Sequence, residues 1–320
     1  LELQDDHEQG VFDPVLEIVY GGKKELKPKS KVTSKYYKNT SWDYQIDCQL
    51  DWFRLKCFVE KERMREDGPT CDLSQASLLC KKLQQTDGNF LQLYKRIKSG
   101  RLYGMTNANL QNLPKLVRER LFAGCYDVDM VNAHYSLAYQ LFTENYLEEP
   151  EYLSEYVKSR SYIRQKIAED IGAEIGEVKT CLLVLLYGGG KKGTPDNPNP
   201  YVVEFDDEVV AEEFLSHEFV LGLDAEINDL VEAIKPDLNQ ILLNHKFRHP
   251  TLRSALAFKL QQIESEILDI CIRLYEPEAL YFDGFITKED VDPEVLEEYV
   301  AANYDYKMSF ESTLLEIVHE

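Results

Sequence analysis

Apolar positions along the chain follow two spacings, and the places where one gives way to the other outline its elements. Residues 11–20, VFDPVLEIVY, hold one short apolar run before a Lys-rich polar stretch, which predicts a strand and a basic arm over 1–40. From 45 to 100 the spacing is helical: Leu50, Phe53, Leu55 and Phe58, then Leu78, Leu79 and Leu83, then Phe90, Leu93 and Ile97. Breaks at Asp67-Gly68-Pro69 and Asp87-Gly88 divide this stretch into two or three short helices ahead of a hinge at Gly100. An Asn-rich loop then precedes a strand-like segment at 125–130 and a helical one at 136–142. Two helices follow over 150–188, divided at Asp170-Ile171-Gly172, and then a Gly/Pro/Asn loop from Gly189 to Pro200. Residues 205–245 read as acidic amphipathic helix, and a longer helix runs from about 252 to 275. A strand over 279–282, a turn at Asp283-Gly284 and a strand over 285–287 come next. A helix near 293–303 and a strand near 307–318 close the chain. The expected class is α+β, helix-rich, with a few strands that carry acids at their tips.

Composition changes this picture in three respects. A chain of 320 residues with 44% hydrophobic content can bury a real core, and no stretch approaches the roughly 18 consecutive apolar residues of a membrane span. The start, LELQDDHEQG, has neither the basic nor the apolar run of a signal peptide, so the expected compartment is cytoplasmic, or that of a host cell. The seven cysteines form no CxxC and no zinc spacing, and the odd number favours free thiols over a disulfide framework. The net charge of −21 argues against a nucleic-acid partner until its distribution is considered. Residues 23–38 carry seven Lys against Glu25 alone, and residues 81–120 carry nine Lys and Arg against Asp87 and Glu119. A basic stripe on an acidic body is compatible with a nucleic-acid channel.

Four segments carry candidate chemistry. In Tyr126-Asp127-Val128-Asp129-Met130 an acid ends a strand just before a helix; in Leu280-Tyr281-Phe282-Asp283-Gly284-Phe285 an acid sits in a tight turn between strands. Two carboxylates on adjacent tips can hold a pair of Mg²⁺ ions about 3.5–4 Å apart, suited to in-line phosphoryl displacement, and Mn²⁺ could substitute. Glycosyltransferases also use D-x-D, around a metal–nucleotide-sugar, and many strand-end acids are structural. Asp127 is expected across the strand from Asp129, in a structural or ion-pair role, with a third metal-facing position as the alternative. In EVKTCLLVLLYGG, Lys179, Leu183 and Tyr187 share one helix face, so a Lys and a Tyr could hold a triphosphate and stack on a base or sugar. The same segment also reads as a buried Leu-rich helix with a Gly end. Finally, Gly100-Arg101-Leu102-Tyr103 leads to Asn109-Leu110-Gln111-Asn112-Leu113-Pro114, a loop that offers Arg and several amides to phosphates or groove acceptors.

This last string resembles the G-R-L … N-L-Q-N-I-P signature of family A (DNA polymerase I-like) polymerases, in order, content and distance from the acidic strand. Further motifs fall in the same order. Asp129 looks like the motif A aspartate, Lys179…Tyr187-Gly188 like the fingers-helix pattern, Leu260-Gln261-Gln262 like the palm helix carrying a Gln, and Asp283 like the motif C acid. The resemblance covers roughly residues 100–290, and small viral or plasmid-type members with D-x-D-x-x-N-A-H look closer still. It implies a reduced palm–fingers–thumb fold with a small antiparallel palm sheet: a thumb-like helical region at 41–100, palm at 101–150 and 255–320, and fingers at 151–254.

The implied activity is template-directed addition of a dNTP to a primer 3′-OH, with Asp129 and Asp283 as metal ligands. Lys179 and Tyr187 would sit on the dNTP, with His134, five residues after Asp129, closing on the sugar 2′ position unless it is only a helix residue satisfied by the backbone. Arg101, Asn109, Gln111, Asn112 and Gln261 would face primer–template, with Glu264 beside them and Tyr103 as a stacking candidate. There are departures: Phe282 and Gly284 replace polar motif C residues, and Ile175 replaces an Arg one turn before Lys179. The missing cation would then come from Arg160, Arg164 or Lys191. The rival readings are an RNA polymerase or primase-like enzyme on the same palm, a catalytically silent polymerase-like binding module, and a D-x-D glycosyltransferase. Partners expected are primer–template, dNTPs and a replication protein, and no membrane.

Overall fold

The chain order of elements follows from the apolar spacing and its breaks. The computed structural model describes residues 11–12, 43–105, 108–146, 148–190 and 198–316. In chain order these form β1 (Val11–Phe12), β2 (Tyr44–Gln49), α1 (Trp52–Arg63), α2 (Ser74–Gln85), β3 (Asn89–Arg96) and β4 (Leu102–Gly104). A 3₁₀ turn at Leu110–Asn112 leads to α3 (Lys115–Leu121), β5 (Tyr126–Met130), α4 (Ala133–Asn145), α5 (Glu151–Ile171) and α6 (Ile175–Leu186). Then come α7 (Pro200–Phe205), α8 (Glu208–Ser216), α9 (Glu218–Ala233), α10 (Lys235–Asn244), β6 (Lys246–Phe247) and α11 (Leu252–Leu274). The last elements are β7 (Pro277–Leu280), β8 (Gly284–Thr287), α12 (Pro293–Asn303) and β9 (Phe310–Leu314). The class is α+β with small sheets that are antiparallel, apart from the two-residue parallel pairing of β1 with β6. The basic arm expected over 1–40 lies outside the described residues except for β1, as do Lys191 and most of the Gly/Pro/Asn loop around it.

The chain divides into two compact units: residues 1–34 with 132–263, and residues 35–131 with 264–320. The divisions thus fall at 131/132 and 263/264, against the 150/151 and 254/255 expected for palm and fingers. Helix α11 contributes its residues through Ile263 to one unit and those from Glu264 to the other.

The second unit carries the two larger sheets. β7-β8-β5-β9 form one, with antiparallel neighbours throughout, and β2-β3-β4 form another. Leu55, Leu79, Leu83, Tyr94, Val128, Phe285 and Ile286 are almost wholly buried in it. The two sheets are tied where the Leu280 amide donates to the Tyr94 hydroxyl, 2.9 Å away. Residues 41–100 are therefore not a purely helical element. The spacing of Phe90, Leu93 and Ile97 that suggested a helix belongs to strand β3, whose inward positions are Phe90, Gln92 and Tyr94. Gln92 is buried because it is satisfied: its Oε1 accepts from the Leu110 amide at 3.1 Å and its Nε2 donates to the Leu93 carbonyl at 3.0 Å.

The other unit is helical. Tyr135, Tyr156, Cys181, Tyr201, Phe214, Leu223, Ile227 and Phe258 are buried in its interior. The break between α5 and α6 falls where the sequence put it, with Gly172 in the left-handed region (φ 68°) closing α5. Arg253 secures the end of α6 by donating to the Leu185 carbonyl (3.1 Å) while pairing with Asp224 (2.8 Å). None of the seven cysteines is joined in a disulfide, and Cys48, Cys125, Cys181 and Cys271 are buried. Among the described residues, no helix is long and apolar enough to cross a membrane.

Candidate active site

Strand β5 ends in an acid because its buried positions alternate with polar ones: Val128 and Met130 face the core, and Asp129 between them is exposed. Asp129 pairs in register with Gly284, the first residue of β8, and the Met130 amide donates to the Asp283 carbonyl at 2.8 Å. The turn closes with the Tyr281 amide donating to the Gly284 carbonyl, also 2.8 Å. Asp283 is therefore exposed at the tip of a tight turn, directly beside the tip that carries Asp129. The approach needs a glycine. A Cβ at Gly284 would overlap the Val128 carbonyl oxygen and lie 2.6 Å from Asp129 Oδ1.

Asp127 does not lie across the strand from Asp129. Residues two apart on a strand share a face, so the expected opposition fails on the period of the strand itself. Asp127 is half-buried, and burial pushes its carboxyl up, with Arg118 and Lys115 pulling it down and Asp283 adding a further upward push. Its Oδ1 is buried and meets no hydrogen-bonding partner among the described residues. No group of three or more His, Cys, Asp or Glu side chains converges as a ready ligand set among those residues. Asp129 and Asp283 are thus a pair of hard oxygen donors with Asp127 set further in. That donor set fits Mg²⁺, which binds through one or two carboxylates and completes its shell from water and phosphate.

The loop that carries the most specific motif is built inward. Arg101 is buried and its guanidinium forms a bidentate pair with buried Glu264, Nε to Oε1 at 2.8 Å and Nη2 to Oε2 at 3.2 Å, while lying 4.8 Å from the Phe282 ring centre. Tyr103 packs on the same Phe282 ring at 4.9 Å. Asn109 Nδ2 donates to the Gly104 carbonyl (2.7 Å), and its Oδ1 caps the 3₁₀ turn by accepting from the Gln111 amide (2.9 Å). Gln111 accepts from the Gly104 amide and donates to the Leu102 carbonyl, both at 2.8 Å, as a strand neighbour of β4 would. Of the expected nucleic-acid contacts on this loop, only Asn112 is exposed. The sequence offers the Arg, Asn and Gln outward; the structure gives them partners within the unit instead, and Glu264 is likewise inside. Replacing Glu264 with Gln leaves a buried guanidinium without its counter-charge and is expected to lower stability by about 3 kcal/mol, measured as the shift in a urea unfolding curve.

In the helical unit, Lys179 is exposed on α6, as a triphosphate ligand requires. Tyr187 and His134 are both buried, with the Tyr187 hydroxyl hydrogen-bonded to His134 Nδ1. The two residues expected on the sugar and base therefore hold each other. Arg164 is half-buried, its Nε donating to the Tyr156 hydroxyl at 2.8 Å and its Nη2 to Asn132 Oδ1 at 3.3 Å. Arg160 is half-buried, and Gln261 is fully buried on α11.

One residue near the acids was missed in the sequence. Arg118, on α3, lies 4.3 Å from the centre of the buried Tyr281 ring, and its charge acts on Asp127 and Asp129. Helix α3 is only seven residues long and follows a Pro, so it gave no period to read. Compared with known proteins, the sequence matches no family model and no curated protein.

Proposed function

We propose that this chain is a template-directed nucleotidyltransferase that adds a dNTP to a primer 3′-OH, a small DNA polymerase of the family A-like kind. The observation that carries the proposal is the side-by-side placement of two exposed carboxylates, Asp129 and Asp283, on the tips of adjacent antiparallel strands, with Gly284 making the approach possible.

Asp129 and Asp283 would hold Mg²⁺, which when bound acidifies the attacking hydroxyl and offsets charge on the departing pyrophosphate. The carboxylates themselves fix the position at which the 3′ oxygen forms its bond to the α-phosphorus as the bond to pyrophosphate breaks. Lys179, exposed on α6, and Arg164, braced by Tyr156 and Asn132, are the cations that the resemblance assigns to the triphosphate. His134 and Tyr187, which the resemblance assigns to the sugar and base, are bonded to each other, and the preference for dNTPs over rNTPs is left to the nucleotide competition below. Asn112 is the loop residue left to meet nucleic acid.

The test is extension of a labelled primer on DNA and RNA templates with Mg²⁺ or Mn²⁺, with dNTPs in one series and rNTPs in the other. Template-dependent extension with dNTPs supports the proposal. Extension with rNTPs alone transfers it to an RNA polymerase or primase-like enzyme. No extension under any of these conditions turns it into a silent module, whose nucleic-acid binding would be indifferent to Asp129→Asn.

A further inference from the structure

Phe282 stands beside the acid of the turn, where the resemblance expects a polar group, and the proposed reaction gives it no part. The structure gives its ring two neighbours. The Arg101 guanidinium lies 4.8 Å from the ring centre, and the Tyr103 ring centre is 4.9 Å away with its plane tilted by 50°. Arg101 and Tyr103 are two residues apart at β4, so they project to one side and meet the same ring. Arg101 is itself fixed, because it is buried and its two-point pairing with Glu264 sets the plane of the guanidinium. Backbone bonds hold the turn to β5, through the Met130 amide on the Asp283 carbonyl, and close it, through the Tyr281 amide on the Gly284 carbonyl. Phe282, half-exposed, ties the same tip to the other sheet through β4.

We propose that Phe282 is a positioning residue for Asp283: stacked on Arg101 and Tyr103, it holds the turn so that the Asp283 carboxylate can share a divalent cation with Asp129. This rests on the reading of those two acids as metal ligands. A ring against a guanidinium is attracted through its quadrupole and prefers particular tilts, so the contact fixes orientation as well as distance. An aliphatic side chain of similar bulk fills the space but offers no face, and leaves the turn free to rock about its backbone bonds. A carboxylate that samples several positions holds a cation more weakly, because binding must then immobilise it. Phe282 touches neither metal nor substrate in this scheme and acts through its neighbour in the chain.

Metal affinity, set beside stability, separates this from a merely structural role. Mn²⁺ alone is titrated into the full chain, and free ion is read by electron paramagnetic resonance. Phe282→Leu and Phe282→Met are expected to bind Mn²⁺ roughly three- to tenfold more weakly than the wild type. Phe282→Tyr, which keeps the aromatic face, should stay within about twofold. Leu79→Val, a replacement of a buried residue on α2 in the same unit, should lower the unfolding temperature and leave the affinity within about twofold. Thermal unfolding of each variant identifies any that does not fold, and two aliphatic replacements guard against losing one. Loss of binding in Asp283→Asn with wild-type binding in the aliphatic Phe282 variants would overturn the inference and leave the metal reading standing. Weakening in Phe282→Tyr equal to that in Phe282→Leu would overturn it as well, since the aromatic face would then not be responsible. Equal weakening in Leu79→Val would do the same, by making general stability the cause. Absence of saturable Mn²⁺ binding by the wild type would end both readings.

Discussion

Asp129→Asn and Asp283→Asn are each expected to reduce primer extension by roughly a thousandfold while leaving the fold intact. The loss follows from the chemistry of the pair. Each amide removes a formal charge from a site whose purpose is to hold dications against developing charge, and several kcal/mol of barrier lowering correspond to that factor. The intact fold follows from placement. Both side chains are exposed, on strand tips whose backbone ladder does not involve the carboxylates. Surface replacements of this kind change stability by about 0.5 kcal/mol or less. Rates measured beside far-UV circular dichroism and a urea curve would check both halves. A variant that keeps a tenth of the wild-type rate would remove its residue from the metal site.

Gly284→Ala should do the opposite, damaging the fold and the site together. The added methyl meets the Val128 carbonyl oxygen across the β5–β8 pairing, a backbone atom that no side-chain rotation can move aside, and it crowds Asp129 as well. Relief requires the two strands to separate at their tips, where the Met130 amide reaches the Asp283 carbonyl. Overpacking of this kind costs about 3 kcal/mol. The same displacement moves Asp283 away from Asp129, so Mn²⁺ binding should weaken along with the urea midpoint. Unchanged stability with normal metal binding would show that the strands adjust without parting, and that the close approach is not what positions the acids.

The difference between these two substitutions marks what could be read from residue order. The helices α5, α6, α11 and α12 were legible because their apolar positions recur at helical spacing between clear breaks, such as Gly172 after α5 and the Gly/Pro/Asn segment after α6. The strand–turn–strand around Asp283 was legible from its apolar flanks and the Asp-Gly turn. Strand β3 was not. A buried glutamine at Gln92 and an exposed leucine at Leu91 invert the alternation that would have revealed it. The acidic pair was legible as two acids after apolar runs. The cation stacked on Tyr281 was not, because Arg118 comes from a helix too short for a period and from more than 160 residues away in the chain. The motif loop taught a separate lesson. Arg101, Asn109 and Gln111 carry the residue types that contact phosphates, but such types also satisfy a folded loop, and here they bond to Glu264, Gly104 and Leu102.

The distribution of cysteines has a practical consequence. Cys181 is the one thiol within residues 1–34 and 132–263, and it is fully buried in α6; the remaining six belong to the other unit. A thiol-specific alkylating reagent, followed by peptide mass analysis, therefore reports on each unit through different atoms in the same sample. Modification of Cys181 clocks the opening of the helical unit, and modification of Cys48, Cys125 and Cys271 clocks the opening of the sheet unit. Two opening rates that coincide would make the chain a single cooperative body, and two that differ would rank its parts by the ease with which each breathes.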